Sequence, residues 1–275
     1  MKNTLYSCPS CNCVLLDDEK KLICKNNHCF DRSKSGYINL LLSTDKNSKL
    51  PGDNKLMVDA RQKFLSGDYY KILSDTLNEM VMAEIHNNSV ILDAGCGEGY
   101  YTSNLKNFLN KNNINGKFIG IDISKFAIDK AAKRDKTIDW AVSSVFHMPI
   151  LSNSFDGIIN IFAPFALEEY LRILKKGGKL FMVIPAEYHL FELKQAVYSK
   201  VFLNEVKDYK IDGFEFATKK AVEYSITLNN NEDIHNLFTM TPYYYKTSKE
   251  DFERLNSLNN LTTKVSFQIL VYQKL

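Results

Sequence analysis

Three glycines at alternate positions follow an acidic residue in the segment 90–102, and this spacing predicts ligand binding. Gly95, Gly97 and Gly99 permit a sharp turn and a close approach of the main chain to a ligand. Asp93 precedes them, and its carboxylate would repel a pyrophosphate but attract a cationic or amine-bearing ligand. An apolar run before the turn and helical periodicity after it predict a strand, a turn and a helix, where α/β sheets bind nucleotide-like cofactors.

A second acidic residue ends the next apolar run. Residues 117–122 predict a strand that ends in Asp122, which is placed to accept hydrogen bonds from the two hydroxyls of a ribose. The glycine pattern and its two acids resemble the first motifs of class I S-adenosylmethionine methyltransferases. Ser144 and Val145 fall where that family contacts adenine. The alternative is a glycine turn in another Rossmann-like domain.

The remaining chain predicts a parallel, doubly wound sheet, because strand patterns alternate with helical patterns. We predict strands at residues 90–92, 117–122, 138–142, 155–161 and 179–184, and edge strands within 263–272. We predict helices at residues 54–65, 70–85, 100–109, 124–134, 168–174 and 188–200. Gly177 and Gly178 are expected to end the helix at 168–174.

A second group of reactive side chains lies near the N-terminus. Its paired spacing places three thiolates and one imidazole where they can form a tetrahedral zinc site: Cys8, Cys11, Cys24 and His28. Cys13 and Cys29 are spare thiols, and either could replace a neighbouring ligand. Ordinary reduced cysteines are the alternative. Residues 14–16 and 21–23 predict a hairpin with too little core to fold alone, so we expect Zn²⁺ to stabilise it.

Composition favours an enzyme with a sizeable core, since 45% of the 275 residues are hydrophobic. No apolar run is long enough to span a membrane, and we expect a cytoplasmic protein without a membrane partner. Of the 35 Lys and Arg, 11 lie in residues 1–63, against 7 of the 32 Asp and Glu. This excess favours an anionic partner near the N-terminus. We predict a zinc module at 1–42, a linker with two helices at 43–86 and a cofactor domain at 87–275.

A series of short motifs extends the resemblance to nearly the whole chain. The zinc-ligand spacing is followed in order by Gly36-Tyr37-Ile38-Asn39, Pro51-Gly52-Asp53, Ala60-Arg61, Ala163-Pro164, His189-Leu190 and Met240-Thr241-Pro242. Together they closely resemble the bacterial 23S rRNA guanine-N1 methyltransferases of the RlmA group. The resemblance implies a class I (Rossmann-like) S-adenosylmethionine-dependent methyltransferase with a small N-terminal zinc-binding module that helps to engage rRNA.

The resemblance also implies a substrate and an assembly. The expected substrate is a guanine in a 23S rRNA hairpin near the peptide exit tunnel, and the expected assembly is a homodimer. Some members of the group confer resistance to macrolides such as tylosin. By position, the family's cofactor contacts fall on Tyr70, Gly97, Glu98, Asp122 and His189.

Side chains near the fourth predicted strand are expected to hold the base. Phe162 or Phe165 would stack against the guanine, although the family often has another residue where Phe165 stands. Guanine N1 carries a proton at neutral pH, so a base or a hydrogen-bond partner would help the reaction. The candidates for that base are His189, Glu187 and His147.

Two other functions fit the same residues. One is a class I methyltransferase that acts on another RNA or a small molecule. The other is a non-catalytic, zinc-dependent RNA-binding protein, although the intact glycines and acids argue against it. For the rRNA methyltransferase, we expect a Cys24→Ser substitution to remove zinc and weaken RNA engagement, with cofactor affinity largely kept.

Overall fold

The computed structural model describes residues 2–42, 44, 51–205 and 209–275. Most of the predicted linker segment 43–50 lies outside the described residues. The described residues form two sheets, one of four strands and one of eight.

The small sheet is antiparallel and lies at the N-terminus. Its strands follow each other in chain order: β1 (Lys2–Ser7), β2 (Val14–Asp17), β3 (Lys21–Cys24) and β4 (Cys29–Asp31). The predicted hairpin is present as β2 and β3, in which Leu16 pairs with Ile23. Cys8 and Cys11 lie in the turn before this hairpin, Cys24 ends β3, and His28 lies in the turn that follows.

The large sheet contains eight strands. They are β5 (Ile38–Asn39), β6 (Ser89–Ala94), β7 (Gly116–Asp122), β8 (Asp139–Val142), β9 (Phe155–Ile161), β10 (Leu174–Pro185), β11 (Phe214–Leu228) and β12 (Leu261–Lys274). Their order is β11-β12-β10-β9-β6-β7-β8-β5. The strands from β10 to β5 are parallel, whereas β12 runs antiparallel to both of its neighbours. This is the doubly wound sheet that the alternating pattern predicts.

Eight helices pack around the large sheet in the described residues. They are α1 (Lys55–Ser66), α2 (Lys71–Glu84), α3 (Tyr100–Lys111), α4 (Lys125–Arg134), α5 (Leu167–Ile173), α6 (Phe191–Val197), α7 (Asn231–Thr239) and α8 (Lys249–Ser257). A short 3-10 helix, Pro242–Lys246, follows α7. Asn54 and Ser124 cap α1 and α4, because each side chain accepts a hydrogen bond from the backbone three residues later. No helix in the described part of the chain is long and apolar enough to cross a membrane.

The structure corrects three expectations about the C-terminal half. The tail forms one strand, β12, which lies inside the sheet, and the edge is β11, which the sequence analysis did not predict. Most of the first half of β11 is exposed on both faces, so it lacks the alternation that marks a strand. The helix predicted at 188–200 covers only Phe191–Val197. Gly177 and Gly178 lie within β10, where the register shifts, and α5 ends before them.

Candidate cofactor site and metal cluster

A cavity of about 690 Å³ opens at the carboxyl ends of β6, β7, β8 and β9. Ligands of parallel α/β sheets bind at this edge. The cavity brings together ten of the residues predicted for cofactor or substrate: Tyr70, Asp93, Gly95, Gly97, Glu98, Asp122, Ser144, Val145, Phe162 and His189. The other two, Gly99 and Phe165, are not among the described residues that line it.

The glycine turn between β6 and α3 has the left-handed backbone that its sequence predicts. Gly95 has φ of +89°, and a Cβ built there would lie 2.4 Å from the Cβ of Ala163. Gly97 has φ of +55°, and a Cβ built there would lie 3.8 Å or more from its nearest neighbours, which are atoms of Arg61, so a ligand can approach its backbone. Gly99 serves packing instead, because a Cβ there would lie 2.8 Å from the Trp140 ring.

Asp122, at the end of β7, is fixed by two backbone donors. Its Oδ2 accepts a hydrogen bond from the N–H of Gly97 at 2.9 Å, and its Oδ1 accepts one from Ser124 at 2.8 Å. Burial raises the pKa of this carboxyl group. Each oxygen keeps a second acceptor position, so the group can hold two ligand hydroxyls at the cavity wall.

Asp93 has a buried carboxylate with one unsatisfied oxygen. The residue is 1% exposed, and its Oδ2 accepts a hydrogen bond from Thr102 at 2.5 Å, while Oδ1 has no partner. Burial raises the pKa of Asp93 to about 7. Because a buried polar atom without a partner is costly, this oxygen indicates a donor or cation supplied by a ligand. The amine-bearing end of S-adenosylmethionine fits that requirement.

Glu98 is also buried, but it faces a basic side chain. Its Oε2 accepts a hydrogen bond from Nε of Arg134 at 2.9 Å, and its Oε1 has no partner. Burial raises the pKa of Glu98, and the charge of Arg134 opposes that shift. The ion pair joins the glycine turn to the end of α4, so Glu98 stabilises the turn as well as lining the cavity.

His189 is buried at the far side of the cavity, and its ring is oriented by a backbone donor. Nδ1 accepts a hydrogen bond from the N–H of Ser266 at 3.3 Å. Burial lowers the pKa of His189 to about 3, so the ring is neutral and carries its proton on Nε2. A donor of this kind suits a ligand carboxylate better than it suits the removal of a proton. Tyr70 packs beside it, with the two ring centroids 6.4 Å apart.

Phe162 and Phe165 lie in different environments. Phe162 is 46% exposed at the cavity wall, and its φ of +54° is a rare conformation for an aromatic residue. Phe165 packs edge-on against Tyr170, with ring centroids 5.4 Å apart. The two remaining base candidates, Glu187 and His147, are exposed and are not among the described cavity-lining residues.

The cavity also contains residues to which the sequence analysis gave no role. Arg61 forms an ion pair with Asp53 and donates a hydrogen bond to the backbone oxygen of Met240 at 3.3 Å. All three residues belong to motifs of the family resemblance, which was the only signal for them. Phe146 and Tyr245 are 54% and 63% exposed at the cavity, and no sequence pattern marks them.

The N-terminal sheet brings four ligand side chains together. The ligand atoms of Cys8, Cys11, Cys24 and His28 all lie within 4.8 Å of one another. Nδ1 of His28 is 3.5 Å from two of the sulfurs, and the Cys11 and Cys24 sulfurs are 3.6 Å apart. A tetrahedral zinc with bonds of about 2.3 Å to sulfur separates its ligands by roughly 3.7 Å, so the cluster fits this ion. Cys13 and Cys29 lie outside the cluster that the described residues form.

Comparison with known proteins agrees with this geometry. Residues 85–241 match a family model described as a methyltransferase domain, and residues 6–49 match one described as RlmA, N-terminal, a zinc ribbon. The chain is therefore an S-adenosylmethionine-dependent methyltransferase of the Rossmann-like class, with an N-terminal zinc ribbon, and its cofactors are S-adenosylmethionine and Zn²⁺.

Individual similar proteins identify a narrower family for the chain. It is 30% identical, over 98% of both chains, to a Bacillus subtilis protein named putative 23S rRNA (guanine-N(1)-)-methyltransferase YxjB. It is 31% identical to the 23S rRNA (guanine(748)-N(1))-methyltransferase of Streptomyces fradiae, over 74% of this chain and 70% of the relative. The chain belongs to the family of 23S rRNA (guanine-N1) methyltransferases.

Proposed function

We propose that this protein transfers the methyl group of S-adenosylmethionine to N1 of a guanine in 23S rRNA. The observation that carries the proposal is the cavity, which joins a methyltransferase cofactor turn to exposed aromatic side chains. Near-full-length similarity to a protein named for this reaction supports the substrate.

In the proposed arrangement, the cofactor lies along the carboxyl edge of β6, β7 and β8. Asp122 accepts hydrogen bonds from the ribose hydroxyls, and Asp93 faces the amine-bearing end. The backbone of Gly95 and Gly97 allows close approach, and Glu98 fixes the turn. The adenine side is formed by Ser144 and Val145, and the opposite wall by Tyr70 and His189.

The bound cofactor supplies a methyl group on a sulfonium, which is already a strong electrophile. The protein therefore has to align the guanine and exclude water. Phe162 is placed to stack on a guanine that has left its RNA stack, whereas Phe165 is held in the fold by Tyr170. Neutral His189 is assigned to binding, and no group is assigned as general base.

We further propose that residues 1–42 recognise the rRNA and that 87–275 carry the reaction, joined by 43–86. The basic excess near the N-terminus supports contact with phosphates. A hairpin near the peptide exit tunnel, a homodimer, a cytoplasmic location and a link to tylosin resistance follow from the family resemblance. Light scattering at several protein concentrations would test the dimer, since a monomer mass throughout would contradict it.

The substrate can be tested with purified protein and isotope-labelled S-adenosylmethionine. We expect label in 23S rRNA, recovered as 1-methylguanosine after nuclease digestion, and background label in tRNA and in the small molecules of a cell extract. The Asp122→Ala variant at saturating RNA is the matched control for cofactor-dependent transfer. Label in tRNA or a metabolite, with 23S rRNA unlabelled, would contradict the proposed substrate.

A further inference from the structure

The connection between β8 and β9 contains no helix. Residues 143–154 cross from one strand to the other as a loop, although parallel strands need cover on both faces. Ile119, Ile121 and Ala141 lie on one face of β7 and β8. The β8–β9 connection supplies no helix to cover them. All three residues are nevertheless fully buried.

The zinc module covers this face. Its buried residues lie in one core with this face of the parallel strands: Tyr6, Cys8, Leu15, Leu22 and Cys24. Two of them, Cys8 and Cys24, are metal ligands. Cys8 is 0% exposed and Cys24 is 3% exposed. The metal site is therefore part of the packing of the large sheet.

Backbone hydrogen bonds join the module to the β8–β9 loop. The N–H of Ser7 donates to the oxygen of Pro149 at 3.0 Å, and the N–H of Leu151 donates to the oxygen of Leu5 at 2.9 Å. Tyr6 forms an antiparallel bridge with Ile150 between them. Ser7 is adjacent to the ligand Cys8, so the metal site and this pairing share one short segment.

The same loop forms one wall of the cofactor cavity. Ser144, Val145 and Phe146 line the cavity and precede the paired segment by only a few residues. The loop is also held from α5, where Arg172 donates to the backbone oxygens of Met148 and Ile150. Two supports therefore position this wall, and one of them depends on the zinc module.

We propose that the zinc module positions the adenine side of the cofactor site, so that zinc supports S-adenosylmethionine binding even when no RNA is present. In this account the metal keeps Cys8 and Cys24 in the shared core, β1 stays paired with residues 149–151, and the wall at 144–146 keeps its shape. This reverses the expectation that a Cys24→Ser substitution leaves cofactor affinity largely unchanged. The inference rests on the cofactor placement proposed above, and it is independent of the RNA substrate.

The test compares the affinity for S-adenosylhomocysteine, measured by calorimetry without RNA, in wild-type protein and in Cys24→Ser. We expect the variant to lose zinc, measured by elemental analysis, and to bind about tenfold more weakly, because the support from α5 remains. The matched control is Cys29→Ser, a cysteine of the same module outside the cluster, which should keep both zinc and affinity. Wild-type affinity in zinc-free, folded Cys24→Ser would overturn the proposal.

A second variant, Tyr6→Ala, keeps all four ligands and removes a buried side chain of the shared core at the residue that bridges to Ile150. We expect it to retain zinc and still bind S-adenosylhomocysteine several-fold more weakly. Fluorescence of Trp140, buried on the opposite face of the sheet, reports whether each variant is folded. If Cys24→Ser does not fold, the proposal is tested with Tyr6→Ala alone. A folded, zinc-loaded Tyr6→Ala protein with wild-type affinity would overturn the proposal.

The cofactor placement has its own control in the same assay. If Asp122→Ala weakens binding while zinc loss and Tyr6→Ala do not, the proposed effect of the zinc module on cofactor affinity is wrong. The proposed position of the cofactor then stands. If Asp122→Ala binds like the wild type, the cofactor placement itself is wrong.

Discussion

Asp93 and Asp122 at the cavity differ in how well their carboxylate oxygens are satisfied. Both oxygens of Asp122 accept backbone hydrogen bonds, so this group is already oriented before a ligand arrives. One oxygen of Asp93 has no partner, so this group is destabilised until a ligand supplies a donor. We infer that Asp122 orients the ligand through fixed hydrogen-bond acceptors. Asp93 supplies a negative charge for a positively charged group of the ligand.

The substitution Asp122→Ala should weaken S-adenosylmethionine binding. It removes the acceptors proposed for the ribose and the support of the Gly97 N–H, and we expect a loss of about 1–3 kcal/mol. Calorimetric titration with S-adenosylhomocysteine measures this loss. Asp139→Ala, at the other end of the sheet, should bind like the wild type, and an equal loss in both variants would refute the assignment.

The substitution Asp93→Asn should change stability and cofactor binding in opposite directions at pH 8. The folded pKa of about 7 lies above that of an unfolded aspartate, so the contribution of Asp93 to stability is present at low pH and is lost as the pH rises through 7. At pH 8 the ligand-free variant should therefore be more stable than the wild type, by about 1–3 kcal/mol. Urea unfolding at pH 6 and pH 8 measures the difference.

The same substitution should weaken cofactor binding at pH 8, because the neutral amide cannot pair with an ammonium group. A variant that is less stable at pH 8 and binds normally would show that Asp93 is a structural residue only.

The contribution of His189 to stability should depend on pH in the opposite direction to that of Asp93, and at lower pH. Its folded pKa of about 3 lies below the ordinary value near 6.5, so its contribution to stability is present above pH 6.5 and is lost as the pH falls toward 3. Replacement by glutamine removes this group, and stability should then fall less between pH 7 and pH 5, by about 1–2 kcal/mol. Identical pH profiles for His189→Gln and the wild type would contradict the buried, neutral assignment.

At the scale of elements, the segment after β9 carries the side chains that we propose for the substrate. Phe162 adopts a left-handed backbone that is costly for a bulky residue, and its ring is nevertheless exposed. Strain kept at an exposed aromatic residue indicates a functional constraint on this turn. The ring of Phe165, three residues later, packs against α5 instead.

The substitution Phe162→Ala should lower methylation of RNA without loss of cofactor binding. A stacked base contributes about 1–3 kcal/mol, so kcat/KM for RNA should fall roughly five- to 150-fold. The matched variant Phe165→Ala should instead lower thermal stability, because it removes packing against Tyr170. Normal RNA methylation by Phe162→Ala would exclude this ring as the base platform.

Sequence predicted those elements whose signals are local. The glycine turn, Asp122 and the Ser124 cap depend on short segments, and the structure has each in its expected form. β11 was missed because most of its first half is exposed on both faces, and the position of β12 was wrong because strand order depends on non-local pairing. Arg61 and Phe146 reach the cavity only through tertiary packing, so their local sequence gave them no role.

At the scale of the whole molecule, the metal cluster and the cofactor cavity lie in one framework. The N-terminal module covers a face of the large sheet that the β8–β9 connection leaves open. The module expected to meet RNA phosphates is therefore hydrogen-bonded to the loop that lines the cavity. This connection could not be predicted from the sequence, because the contacting segments are more than 100 residues apart.

Primer extension across 23S rRNA tests the central claim most directly. A methyl group on guanine N1 blocks the Watson–Crick edge, so reverse transcriptase stops one nucleotide before it. We predict a stop at one guanine in RNA from cells that express the protein, and no stop in cells that lack it or that express Asp122→Ala at equal level. Identical patterns in all three, with cofactor binding confirmed in the purified protein, would contradict 23S rRNA as the substrate.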